Sequence, residues 1–164
     1  MINKTLVRNS LPYPPHSLSE VVVISGVLQA IKMLKENGFE IVVVTNQPDV
    51  SRNQISRESV VEINQFLGNQ LGIEHFYTCF HDDSDFCNCR KPRIGLFLQA
   101  KKNLKINLES SFLVGDRWRD IEAGQTAGCT CFLIEYGYEE KHPDPPYFGV
   151  TSLLEAAIKI LEMK

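Results

Sequence analysis

Apolar residues along this chain fall into short unbroken runs that alternate with helical stripes. Val21-Val22-Val23-Ile24 is the first run. Ser25-Gly26 then opens a helix carrying Val27, Leu28, Ile31 and Leu34 on one stripe, and Asn37-Gly38 closes it in the manner of a C-cap. Ile41-Val42-Val43-Val44-Thr45 has no polar alternation, the pattern of a parallel strand buried on both faces. Residues 56–71 predict an amphipathic helix with Val60, Ile63, Phe66, Leu67 and Leu71 inward. A short strand at Phe76-Tyr77-Thr78 runs into a polar, cysteine-rich stretch, and residues 94–104 return to helical spacing. Ser111-Phe112-Leu113-Val114 is a strand ending in Gly115-Asp116, followed by a helix over residues 118–127. A strand over 129–134 and a helix over 153–161 complete the order. Residues 8–15 contain three prolines and read as a loop. Strands alternating with helices predict an α/β fold of right-handed βαβ units on a doubly wound parallel sheet, one domain over residues 1–164. The chemistry of such a sheet gathers at the carboxyl ends of its strands.

Composition narrows the function classes. The chain is 43% hydrophobic and 23% charged, ordinary values for a folded domain, with no repeat and no low-complexity segment. A net charge of -3 with scattered basic residues gives no grip on a polyanion, which argues against nucleic acid as partner. No stretch approaches the ~18 apolar residues of a membrane span, and the residues after Met1 do not form a signal-peptide core. A cytoplasmic setting follows as the expectation, and there five cysteines are not a disulfide framework.

Three of those cysteines change meaning through their neighbours. Cys79, His81, Cys87 and Cys89 place three thiols and an imidazole within residues 79–89, the ligand set of a closed structural Zn²⁺ site. Free thiols beside a solvated histidine are the alternative; a redox pair fits less well because the spacing is C-x-C rather than C-x-x-C. Cys129 and Cys131 alternate along a strand and read as small buried apolar residues.

Three further groups fall at strand ends. Thr45-Asn46-Gln47 offers a hydroxyl and backbone N–H groups to an anion, a weak signal by itself. Arg90-Lys91-Pro92 follows the last cysteine, so a metal loop would hold two cations in a fixed pose; alone, it reads equally as a solvated basic pair. In Gly115-Asp116-Arg117-Trp118-Arg119-Asp120, Asp116 is placed to bind a hard cation such as Mg²⁺ or to cap a helix, and Asp120 to support it one turn on.

With these residues in view, the sequence resembles the haloacid dehalogenase superfamily. Within it, the resemblance is to the branch containing D-glycero-D-manno-heptose 1,7-bisphosphate phosphatase and histidinol-phosphatase. It is carried by Val44-Thr45-Asn46-Gln47, by the cysteine loop running into Arg90-Lys91-Pro92, and by Val114-Gly115-Asp116 with Asp120. The resemblance implies a three-layer Rossmann-like fold and hydrolysis of a small phosphorylated sugar through an aspartyl-phosphate intermediate. It assigns phosphoryl binding to Thr45 and Asn46, charge neutralisation to Lys91, Mg²⁺ binding to Asp116 with support from Asp120, and the remote part of the substrate to Arg90. It also implies a structural Zn²⁺ and a monomer. The heptose bisphosphate is the expected substrate, with histidinol phosphate as the alternative.

One departure stands against this. The resemblance calls for Asp-x-Asp-Gly at the end of a first, central strand, the first aspartate being the nucleophile, and the sequence contains no such segment. Met1 aligns just past its glycine. Asp49, Asp82, Asp83 and Asp85 do not follow a buried strand in that context. The expectations are therefore a sheet lacking its central strand, and either a segment upstream of Met1 or a chain that binds phosphate, or a partner, without turnover.

Overall fold

The computed structural model describes residues 1–8 and 11–164. Residues 9 and 10, within the stretch expected to be a loop, lie outside the described residues. On either side of them, Leu6–Arg8 (β1) and Leu11–Tyr13 (β2) pair antiparallel, with Val7 opposite Pro12, so strand replaces loop there. A two-stranded ribbon is all edge, and an edge tolerates a proline whose missing N–H would break a central ladder. The expected run 21–24 forms one antiparallel bridge, Val23 to Asn3, rather than a strand of the sheet.

The βαβ units follow in the predicted order. Helix α1 (Val27–Glu36) leads to β3 (Val42–Asn46), a short α2 (Pro48–Ser51), α3 (Arg57–Leu71) and β4 (His75–Cys79). Then come α4 (Gly95–Leu104), β5 (Phe112–Gly115), α5 (Trp118–Ala127), β6 (Thr130–Ile134), β7 (Phe148–Val150) and α6 (Leu153–Glu162). The α2 turn and β7 had no periodic signature of their own. Ser56 caps α3 by accepting the Ser59 N–H, and Ser152 caps α6 by accepting that of Glu155, as their residue types favour. Two apolar positions are turned outward: Leu28 and Phe66 are exposed. At 100° per residue, Val27, Ile31 and Leu34 align while Leu28 swings off that stripe, and Phe66 falls on the flank of Ile63 and Leu67.

The parallel strands form two half-sheets, β4-β3 and β5-β6-β7, and no ladder joins β3 to β5 among the described residues. Helices bridge them. On one face α1 gives Val27 and Ile31 to a cluster with Val43 and α3, and Ala30 and Leu34 to a cluster with Phe132, Ile134 and α6. On the other, α4 packs Leu96 and Ala100 against Val42 and Tyr77, while Phe97 meets both Val44 and Leu113. Layers of helix, sheet and helix result, open along the sheet's midline. All five residues of β3, and Phe112 to Val114 of β5, are only half-buried, where burial on both faces was expected. The cause is the missing neighbour: each strand has one edge that no strand covers. In contrast β6, flanked on both sides, buries Cys131 to Ile134.

Candidate functional site

The β3–β4 register sets Asn46 beside Cys79, so the carboxyl end of β3 and the start of the cysteine loop are one place. The Gln47 N–H donates to the Cys79 carbonyl at 2.7 Å, and Gln47 Nε2 to Thr45 Oγ1 at 3.2 Å. Asn46 clamps the residue following the loop. Its Oδ1 accepts the Lys91 N–H at 3.0 Å and its Nδ2 donates to the Lys91 carbonyl at 3.2 Å.

Lys91 then crosses the midline. Its Nζ donates to the Val44 carbonyl on β3 and pairs with Asp120 Oδ1 on α5, each at 2.6 Å. Both Lys91 and Asp120 are buried. The other Asp120 oxygen accepts the N–H groups of Asp116 (3.3 Å) and Arg117 (3.1 Å). Asp120 thus holds the helix entrance, and Asp116, one residue before the N-cap Arg117, is left free of a capping role. Gly115 makes this possible, because a Cβ there would stand 2.3 Å from Asp120 Cβ. Asp116 Oδ2 receives the Met1 ammonium at 3.1 Å. Lys91, Asn46, Asp116 and Asp120 are therefore brought together, with Thr45 at the same strand end.

The four ligand atoms of Cys79, His81, Cys87 and Cys89 lie within 4.8 Å of one another. The sulfur pairs are 3.1 to 3.7 Å apart, and His81 Nδ1 is 3.3 Å from Cys89 Sγ and 3.6 Å from Cys79 Sγ. A tetrahedron with Zn–S bonds of about 2.3 Å has edges of about 3.8 Å, so the set is close in size to one that encloses such an ion. Gly95 lets α4 approach this loop, since a Cβ there would stand 2.4 Å from the Asn88 carbonyl oxygen. Burial pushes the Cys129 thiol up to about 11 and that of Cys131 to about 12, as expected of inert strand cysteines.

Arg90 is buried within the loop, its Nε on Asp83 Oδ1 at 2.9 Å. Asp83 also receives both terminal nitrogens of Arg119 at 2.9 and 3.1 Å. Arg90 first, with help from Arg119, lowers the Asp83 carboxyl to about 2. A further network ties α2 to the loop: Arg52 grips Asp82 at 2.7 and 2.9 Å, and Ser51 donates to Asp85 at 2.7 Å. Asp49 is buried between His16 and Arg52. Sequence reasoning missed the links of Arg52 to Asp82 and of Arg119 to Asp83, because ion pairs 30 and 36 residues apart leave no local pattern.

A lysine, an aspartate and strand-end polar groups thus meet at the carboxyl rim of a Rossmann-like sheet, where α/β folds of this kind bind their ligands. The chain belongs to the haloacid dehalogenase-like hydrolase family, whose profile matches residues 17–128. It is similar to the D-glycero-beta-D-manno-heptose-1,7-bisphosphate 7-phosphatase of Haemophilus ducreyi, 32% identical over 135 residues, 74% of each chain. The D-glycero-alpha-D-manno-heptose-1,7-bisphosphate 7-phosphatase of Photorhabdus laumondii is 31% identical over 141 residues, covering 78% of this chain and 77% of that one. In fold it resembles the D,D-heptose 1,7-bisphosphate phosphatase of B. bronchiseptica, solved with magnesium and phosphate. That likeness has a TM-score of 0.81 at 22% identity, over 100% of this chain and 96% of the other.

Proposed function

We propose that this chain is a phosphatase of small phosphorylated sugars, with heptose 1,7-bisphosphate as the substrate its relatives favour. The observation that carries the reading is Lys91 Nζ, held between Val44 O and Asp120 at the meeting point of both half-sheets. There the ammonium neutralises a phosphoryl group, while Thr45 and Asn46 orient it by hydrogen bonds. Asp116 would hold Mg²⁺, its carboxylate standing at the strand end free of a capping role. When bound, the metal draws charge from the phosphoryl oxygens. Zn²⁺ in the cysteine loop is structural, fixing the backbone that carries Arg90 and Lys91. Among the described residues no helix is long and apolar enough to cross a membrane. Thiolate ligands to Zn²⁺ suit the reducing cytoplasm, and we read the chain as a monomer.

Hydrolysis also calls for a carboxylate nucleophile. Asp120 is taken by Lys91, and the sequence has no Asp-x-Asp-Gly segment. The engagement of Asp120 with Lys91 favours, as the second reading, a phosphate-binding module without turnover. Phosphate release from heptose 1,7-bisphosphate and from histidinol phosphate separates the readings. It is assayed with the 164-residue chain and with a version extended before Met1 by an apolar strand ending in Asp-x-Asp-Gly. Turnover of the heptose bisphosphate by the extended version, reduced about 10²–10³-fold by Lys91→Ala, is expected. Phosphate binding with no turnover by either version would leave the binding module; neither binding nor turnover would end both readings.

A further inference from the structure

One cavity reaches Asp116 and a second adjoins it through two shared tyrosines, and neither is lined by Arg90, where the resemblance puts a substrate's organic part. The larger, about 260 Å³, is bounded by Met1, Lys4, Thr5, Ile24, Tyr136 and Tyr138. The smaller, about 130 Å³, reaches Asp116 and Trp118 and shares both tyrosines. The tyrosines therefore form a common wall leading from Asp116 outward. Their ring centroids are 5.7 Å apart and tilted by 41°. Tyr138 is steadied by a hydroxyl contact with Thr5 Oγ1 at 3.3 Å and by the Arg117 guanidinium 5.9 Å from its ring. Burial, then the charge of Asp116, raises the Tyr136 hydroxyl above its ordinary range, and burial first of all raises that of Tyr138.

The cations around the site are otherwise occupied. Lys91 is held by Asp120, Arg90 and Arg119 by Asp83, Arg117 by Glu140 and Lys141 by Glu122. Lys4 differs: its side chain is exposed and has no partner among the described residues, and it stands at the edge of the larger cavity. An aromatic wall that ends on an unpaired ammonium suits a ligand with an apolar C–H face and a terminal anion. The volume, small for a ligand pocket, fits one monosaccharide.

We infer that the tyrosine pair Tyr136 and Tyr138 seats the sugar ring of the substrate and that Lys4 binds its second, non-reacting anionic group. The inference rests on the phosphatase reading of the Asp116–Lys91 site, and it moves selectivity away from Arg90, whose charge Asp83 already neutralises.

Calorimetric titration of the full chain, with Zn²⁺ and Mg²⁺ present, tests it using inorganic phosphate, glucose 6-phosphate and glucose 1,6-bisphosphate. The bisphosphate is expected to bind about tenfold more tightly than the monophosphate, the gain of one charge-assisted contact. Lys4→Met should erase that preference and leave monophosphate and inorganic phosphate unchanged. Tyr136→Ala should weaken both sugar phosphates about equally and spare inorganic phosphate. A preference that survives Lys4→Met, or sugar phosphates indifferent to Tyr136→Ala, overturns the inference while the phosphate site stands. Failure of inorganic phosphate to bind would bring down both.

Discussion

Lys91 concentrates the energetics of this molecule in one ammonium. It is buried, and its charge is balanced by a single carboxylate, Asp120, at 2.6 Å. Removing one partner of such a pair leaves an uncompensated buried charge, so Asp120→Asn should cost about 3–5 kcal/mol of folding stability. Urea denaturation measures it, and a cost below about 1 kcal/mol would mean that water already reaches Lys91. Gly115→Ala attacks the same contact by volume, since the new methyl would overlap Asp120 Cβ, and should cost about 1–3 kcal/mol. Cys131 gives a pH signature. Its folded-state pKa, about 12, stands above the ordinary 9, so its contribution is intact below pH 9 and declines as pH rises toward 12. Melting temperature should therefore fall across that alkaline window, and Cys131→Ala should flatten the fall. That Lys91, Asp116 and Asp120 meet at one strand rim was legible in sequence because strand ends and i,i+4 spacing are local facts. The engagement of Arg90 was not, since it depends on Asp83 folding back across the cysteine loop.

At the scale of elements, the cysteine loop is a polar segment that organises its surroundings. Asp82, Asp83 and Asp85 take hold of Arg52 and Ser51 from α2, of Arg90, and of Arg119 from α5. Structural zinc sites contribute about 10–16 kcal/mol of apparent binding energy, more than so few apolar residues could supply. Stripping the metal with a chelator at neutral pH should make the partly exposed thiols of Cys87 and Cys89 reactive, with Cys79, which is buried, following only as the loop opens. Cys129 and Cys131 should stay silent because burial keeps them protonated. The same treatment should change the fluorescence of Trp118, the sole tryptophan, whose ring lies 4.6 Å from the Arg119 guanidinium held by Asp83. Thiol reactivity without a fluorescence change would show that the loop opens independently of α5. The clustering of Cys79, His81, Cys87 and Cys89 could be read from sequence, being four residues in one short loop; the ties to α2 and α5 could not, because surface charges pair by proximity in space.

The whole molecule is governed by its divided sheet. Strand alternation in the sequence announces the layers and the order of elements, yet a periodicity gives no strand positions, and the outward turn of β3 and β5 follows only from where their neighbours stop. Helices α1 and α4 hold the halves in line through clusters that draw on both, so the open midline coexists with an ordered carboxyl rim. Backbone groups along that midline have one ladder partner side instead of two. Amide hydrogen exchange should reveal it strand by strand. In β6, bracketed by β5 and β7, protection should approach the global limit. In β3 and β5 it should alternate, with amides facing β4 or β6 protected and those facing the midline exchanging orders of magnitude faster. Uniform protection across β3 and β5 would mean that the midline is covered in solution, either by closure of the halves on each other or by a further strand, with the carboxyl rim and Lys91 left where they are.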